Sequence, residues 1–262
     1  MALDETTVAE LAAIYLAAER DVKPAAPWRE RFPEVTEEDA YAVLAELLRL
    51  RREAGGELAG WKAGATNPGA MANFGLSQPV YAALFTAMRL ADGDAVPTAA
   101  LIHPRLECEV AFVMARDLMG PGVTPEAALE AVEGAAAAFE IVDARTAGWD
   151  VKMPEMIADN CFQARYLLSD RLVPVARLDL ASIEVVLRKN GAEVARATGA
   201  NVLGSPANAL AWMANRMAGH GRMLRAGDVV MAGSLTPLTP CAAGDSFEAE
   251  FTHLGTVRVS FV

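Results

Sequence analysis

The chain has 262 residues, 53% hydrophobic and 22% charged. That is enough apolar material for one large domain, and it excludes a disordered chain or a disulfide-held miniprotein. Thirty-four acidic residues against 23 basic ones leave a net charge of −11, which excludes nucleic acid and anionic membrane surfaces as partners because both need clustered Lys and Arg.

Cys108, Cys161 and Cys241 are odd in number and far apart, so neither a disulfide framework nor a zinc spacing is present. The opening MALDETTVAELAA carries acids before its apolar residues, unlike a signal peptide, and no apolar run nears the roughly 20 residues that cross a bilayer. The expectation is a soluble, cytoplasmic protein.

Residues 5–19 are rich in Ala, Leu and Glu, with Val8, Leu11, Ile14 and Tyr15 spaced for one helical face. Prolines between Lys23 and Pro33 break the pattern. A second helix opens at Thr36, whose hydroxyl caps it, and stops at Gly55-Gly56. This pair, within residues 1–57, carries no chemical motif and reads as a helical lobe for packing or oligomerisation. From Leu58 onward short strands are predicted at 58–65, 101–115, 138–144, 183–189, 193–198, 228–233, 246–252 and 256–262. Asn190-Gly191 joins two of them as a hairpin, because both residues tolerate positive φ. Helices are predicted at 125–135 and 206–219, with Pro125 and Pro206 in the first turn behind the capping hydroxyls of Thr124 and Ser205. Strands paired as hairpins, rather than alternating with helices, point to an α+β catalytic domain over 58–262.

The most informative segment is HPRLECEVAFVMARDL, residues 103–118. As a strand it turns Glu107 and Glu109 to one face and Leu106, Cys108 and Val110 to the other. Two adjacent carboxylates on an apolar strand repel and resist burial unless a cation neutralises them, and oxygen ligands suit a hard ion such as Mg²⁺ or Mn²⁺. A solvent-facing edge with two ordinary glutamates is the alternative. Glu140 lies in the apolar run AAAAFEIVDAR, where a buried acid needs a partner; an ion pair involving Asp143 and Arg145 is the alternative to a third metal ligand. Lys62 stands alone among small residues in LAGWKAGAT. Desolvation would lower its pKa and suit it to acid–base work, whereas a surface lysine is the plain reading. The segments DVKMPEMIADN (150–160) and VMAGSLTPLTP (230–240) are turns or parts of a site, the second offering backbone amides to an anion. His103, His220 and His253 show no metal spacing, and no nucleophile elbow, P-loop or dinucleotide fingerprint occurs.

Taken in order, GWKAGAT, FGLSQPVYAALF, HPRLECEVAFV, AFEIVDAR, WDVKMPEMIADN, NVLGSPANALAWMA and LRAGDVVMAGSLTPLTPCAAGDSFEAEFTHLGTVRVSF resemble the 2-oxopent-4-enoate hydratase and 4-oxalocrotonate decarboxylase family of the fumarylacetoacetate hydrolase superfamily. The resemblance implies a mixed β-roll core and a homo-oligomer. It implies Mg²⁺ or Mn²⁺ held by Glu107, Glu109 and Glu140, Lys62 as acid/base, and substrate contacts from Leu76, Val80, Lys152, Asn160, Phe162, Gly233 and Ser234. The implied substrate is a small 2-oxo acid. Hydration of 2-hydroxypenta-2,4-dienoate stands first, with decarboxylation of 4-oxalocrotonate second. An acylpyruvate C–C hydrolase, which needs a His–Glu pair, and a non-catalytic 2-oxo-acid-binding relative are further readings. The chain departs from the family pattern at Val80, where the hydratases carry an acid, and at Ala82, Phe162, Gln163 and Ser205.

Overall fold

The computed structural model describes residues 3–262. Helix α1 (Glu5–Arg20) is capped by Asp4 and helix α2 (Glu37–Glu53) by Thr36, whose hydroxyl accepts from Asp39 N while the Asp39 carboxylate accepts from Thr36 N. Both helices were legible from their periodicity, and α2 also from its Thr36 cap. Between them Trp28 Nε1 donates to Tyr15 Oη at 2.7 Å, which ties the proline-rich connection to α1. The lobe's apolar face, with Leu11, Tyr15, Leu44 and Leu47 all buried, is continuous with the core of the rest of the chain.

The strands are β1 (Leu58–Gly64), β2 (Val80–Phe85), β3 (Ala95–Val96), β4 (Pro104–Met114), β5 (Val132–Asp143), β6 (Gln163–Leu168), β7 (Glu184–Lys189), β8 (Ala192–Thr198), β9 (Val229–Ser234), β10 (Thr239–Pro240), β11 (Ser246–Phe251) and β12 (Gly255–Phe261). Helices α3 (Pro68–Phe74), α4 (Pro125–Leu129), α5 (Met153–Ala158) and α6 (Pro206–Ala218) connect them. One sheet runs β2-β1-β9-β4-β5-β6, with β10 added to β4, and the other runs β3-β12-β11-β7-β8. Pairing is antiparallel except at β1–β9 and β3–β12, so the α+β class with a mixed, curled sheet holds. The Asn190-Gly191 hairpin forms between β7 and β8, with φ of 52° and 82° at its two residues.

Two of these assignments need correction. The helix expected over 125–135 ends at Leu129, and the strand expected from residue 138 begins at Val132. Alanine-rich residues 135–138 have high helix propensity, but here they are buried and paired along β4, and the long-range ladder overrides local preference. Strands β2, β3, β6 and β10 and helices α3 and α5 were not anticipated. Their signals were a Pro behind a capping Asn67 and short apolar runs too brief to resolve by period. Among the described residues no helix is long and apolar enough to cross a membrane.

Candidate active site

Strand β4 is central in its sheet and carries Glu107 and Glu109 on one face, as its alternation requires. Register supplies the third acid: Glu140 of β5 lies directly opposite Glu107, which brings two side chains to neighbouring positions across the ladder. One carboxylate oxygen from each of Glu107, Glu109 and Glu140 falls within a group spanning no more than 4.8 Å. Glu109 and Glu140 are buried and Glu107 is half-buried at a chamber wall. Gly233 N on β9 donates to Glu109 Oε2 at 2.7 Å, while Glu109 Oε1 has no hydrogen-bond partner among the described residues. Burial, together with Glu140 and against the pull of Lys62, pushes Glu107 up to about 7, and burial plus Glu140 and Glu107 hold Glu109 well above the ordinary carboxylate range. An all-oxygen donor set, an orphaned buried oxygen and three mutually repelling acids fit a hard divalent cation.

Lys62 reaches the same cluster from β1. Its ammonium lies 2.8 Å from Glu140 and its side chain is 2% exposed, so the reading as a surface lysine is corrected. The expected fall in its pKa is corrected too. Burial does oppose its charge, but Cys161, Glu140, Glu107 and Glu109 outweigh burial and hold it above its ordinary value. The ion pair considered between Glu140 and Arg145 does not form. Arg145 Nε instead meets Asp159 at 2.6 Å, and its guanidinium donates to the carbonyls of Asp143, Gln163 and Asp159. The Asp143 carboxylate accepts from Ile102 N and His103 N.

A chamber of about 500 Å³ opens above Lys62 and Glu107, with Thr66, Asn67, Asn73, Phe74, Met156 and Asn201 among its walls. Phe162 and Ser234 line it as well. Gly64 lines it beside Lys62 and has no room for a side chain, because a Cβ there would lie 2.3 Å from Cys161 Sγ. The wall at 160–162 is strained: Asn160, Cys161 and Phe162 have φ of 48°, 48° and 63°, and non-glycine residues in this region cost about 1–3 kcal/mol each. The Asn160 amide restrains this turn by accepting from Ala83 N and donating to Ala83 O at 2.8 and 2.9 Å. Phe162 is further held between Phe74 and Trp149, at centroid distances of 6.0 and 5.2 Å.

Of the other residues singled out, Gly233 braces Glu109 and Lys152 donates to Asn73 O at 2.9 Å, tethering α3 to the segment before α5. Leu76 packs on the core, Val80 is buried opposite Gly64, and Gln163 is buried in β6; none of the three lines the chamber. Thr66, Asn67, Asn73, Met156, Asn201 and Leu238 line it too; Met156 and Leu238 fall in the two segments noted as possible parts of a site, whereas the others gave no signal because only the fold brings their segments together.

The curled mixed sheet thus carries three convergent glutamates and one buried lysine, a carboxylate cluster of the kind able to hold a metal ion. Residues 72–262 match the family described as Fumarylacetoacetate (FAA) hydrolase C-terminal. The chain is 39% identical to 2-hydroxyhexa-2,4-dienoate hydratase of Comamonas testosteroni over 92% of each chain. It is 36% identical to 2-keto-4-pentenoate hydratase of Burkholderia vietnamiensis over 98% of each. Its structure superposes on 4-oxalocrotonate decarboxylase from Pseudomonas putida G7, complexed with magnesium and adipate, with a TM-score of 0.97, 32% identity and 99% coverage of both chains. The chain belongs to the fumarylacetoacetate hydrolase superfamily, in the branch of these hydratases and decarboxylases.

Proposed function

We propose that this protein is a divalent-metal-dependent lyase on 2-oxo-enoic acids, and that it hydrates 2-hydroxypenta-2,4-dienoate-type acids to 4-hydroxy-2-oxo acids. The observation that carries the reading is the convergence of Glu107, Glu109 and Glu140 beside Lys62 at one end of a substrate-sized chamber. The three glutamates would hold Mg²⁺ or Mn²⁺, which when bound neutralises them and polarises the 2-oxo group.

Lys62 Nζ, kept charged by its acidic neighbours, donates a proton to the bound acid and takes one back, with Glu140 fixing its position. Thr66, Asn67, Asn73 and Asn201 place hydroxyl and amide groups on the wall, where an attacking water needs orienting partners. Val80, where the hydratases carry an acid, is buried opposite Gly64 on β2 and does not line the chamber. Ser234 and the amide of Gly233 keep the β9 end of the site in register with Glu109.

Decarboxylation of a 4-oxalocrotonate-type acid is the second reading, favoured by the structural match to that decarboxylase. A cytoplasmic homo-oligomer belongs to the same proposal, with residues 1–57 as a helical lobe and 58–262 as the catalytic unit; a monomer in light scattering overturns the oligomer. The deciding test is incubation of the Mg²⁺-loaded protein with 2-hydroxypenta-2,4-dienoate and, separately, 4-oxalocrotonate. Loss of the dienoate absorbance is expected. CO₂ release with the dienoate untouched puts decarboxylation first, and turnover of neither overturns the lyase reading. Glu107→Gln should lower activity more than about 100-fold with the fold intact, since even outer-sphere changes at metal sites cost 10–100-fold.

A further inference from the structure

A second cavity, of about 420 Å³, lies at the seam between the helical lobe and the catalytic domain. It shares no lining residue with the chamber above Lys62, so what it holds is independent of the chemistry proposed there. Helix α1 brings Glu19 and Arg20 to it and the end of α2 brings Arg51, while Asp143 ends β5, Arg145 follows it and Arg165 comes from β6. Four arginines thus face two acids, in a chain whose net charge is −11.

Most of these charges are matched within the protein. Arg20 pairs with Asp21 at 2.7 Å and Arg145 with Asp159 at 2.6 Å, and the Glu19 carboxylate takes the guanidinium of Arg51. The Asp143 carboxylate is engaged by Ile102 N and His103 N. What is left over is positive. Among the described residues, Arg51 Nε is buried with no hydrogen-bond partner, and half-buried Arg165 donates to Ala164 O and pairs with no carboxylate. Burial raises the Glu19 carboxyl, yet Arg145, Arg51 and Arg165 outweigh it and hold the group below its ordinary value, so the three guanidiniums converge on one point. Around them the walls are apolar, with Leu16, Leu50, Phe85, Met88 and Leu101.

We infer that this cavity is a second small-molecule site, for a monocarboxylate with an apolar body of about the size of one aromatic ring, its carboxylate seated on Arg165 and Arg51 Nε. A guanidinium fork offers a carboxylate parallel N–H bonds, and the body gains by leaving water against the aliphatic and aromatic walls. A phosphate dianion fits less well, because Glu19 and Asp143 repel its second charge and the apolar walls give its remaining oxygens no donor. A neutral molecule leaves the guanidinium unpaired.

Calorimetry on the Mg²⁺-loaded protein tests this with benzoate, with benzyl alcohol as the body lacking the charge, and with inorganic phosphate as charge lacking the body. Benzoate should bind about tenfold or more tighter than either. Glu107→Gln, which alters only the chamber, should bind benzoate as the wild type does. Arg165→Leu should weaken benzoate about tenfold or more; should it not fold, Ala87→Trp takes its place, filling the exposed rim of the cavity without touching an ion pair. Phosphate or benzyl alcohol binding as tightly as benzoate overturns the ligand class. Loss of benzoate binding in Glu107→Gln puts the ligand in the chamber and overturns the site. Undiminished binding in a folded Arg165→Leu or Ala87→Trp protein overturns it too, as does a wild type that binds no benzoate.

Discussion

Gly233→Ala perturbs the backbone that braces Glu109, and its cost can be worked out atom by atom. Gly233 has φ of +111°, and a Cβ built there would lie 2.3 Å from Thr66 Oγ1, 2.6 Å from Thr66 Cγ2 and 2.9 Å from Thr66 Cβ. The φ value alone costs a side-chain-bearing residue about 1–3 kcal/mol. Forcing a methyl against Thr66 adds about 1–3 kcal/mol of overpacking. The total, about 2–6 kcal/mol, is a large share of the roughly 5–15 kcal/mol that holds a domain together. Urea unfolding should show a lower midpoint with an unchanged slope. Relief of the clash moves Gly233 N off Glu109 Oε2, so Mg²⁺ binding by calorimetry should weaken in the folded fraction. Thr66→Ala removes Oγ1 and Cγ2 but leaves Cβ, so the double variant should recover only the overpacking part, with a coupling of about 1–2 kcal/mol in the mutant cycle. A single variant within about 0.5 kcal/mol of wild type, the range of ordinary surface changes, refutes the reasoning.

Arg145→Met should destabilise the fold by about 3–5 kcal/mol, because it leaves Asp159 as a buried, unpaired acid and frees three carbonyls from their donor; a thermal midpoint close to wild type contradicts this. Asp39 is tested by acid titration. Burial opposes its charge, but the N–H groups of Thr36 and Leu3 outweigh that and lower its pKa. A depressed carboxyl stabilises the fold above its unfolded value, roughly 4, and the contribution disappears as pH falls through the folded value. Asp39→Asn should therefore lower the urea midpoint near neutrality and flatten its decline below about pH 4; parallel curves for the two proteins count against it.

The sequence alone was sufficient wherever the cause is local. A capping hydroxyl at Thr36, prolines in first turns and Asn190-Gly191 act within a few residues, so α1, α2, α6 and the β7–β8 hairpin were legible from the chain. Strand alternation likewise placed Glu107 and Glu109 on one face before any partner strand was known. The remaining features are set by contacts between distant segments. Residues 132–137 prefer helix by composition and became strand because β4 pairs with them along their whole length, with Val173 bridging Ala135 on the other edge. Glu140 is opposite Glu107 through register, which no spacing between residues 33 apart in the chain encodes. The left-handed run at 160–162 is unfavourable by itself and persists because Ala83, on a strand 77 residues away, pairs with Asn160. Lys62 shows the division most clearly. Its small neighbours were visible in the chain, and burial was reason to expect a lowered pKa. Only the tertiary structure surrounds it with three carboxylates, and Coulomb attraction at contact distance then exceeds the cost of leaving water.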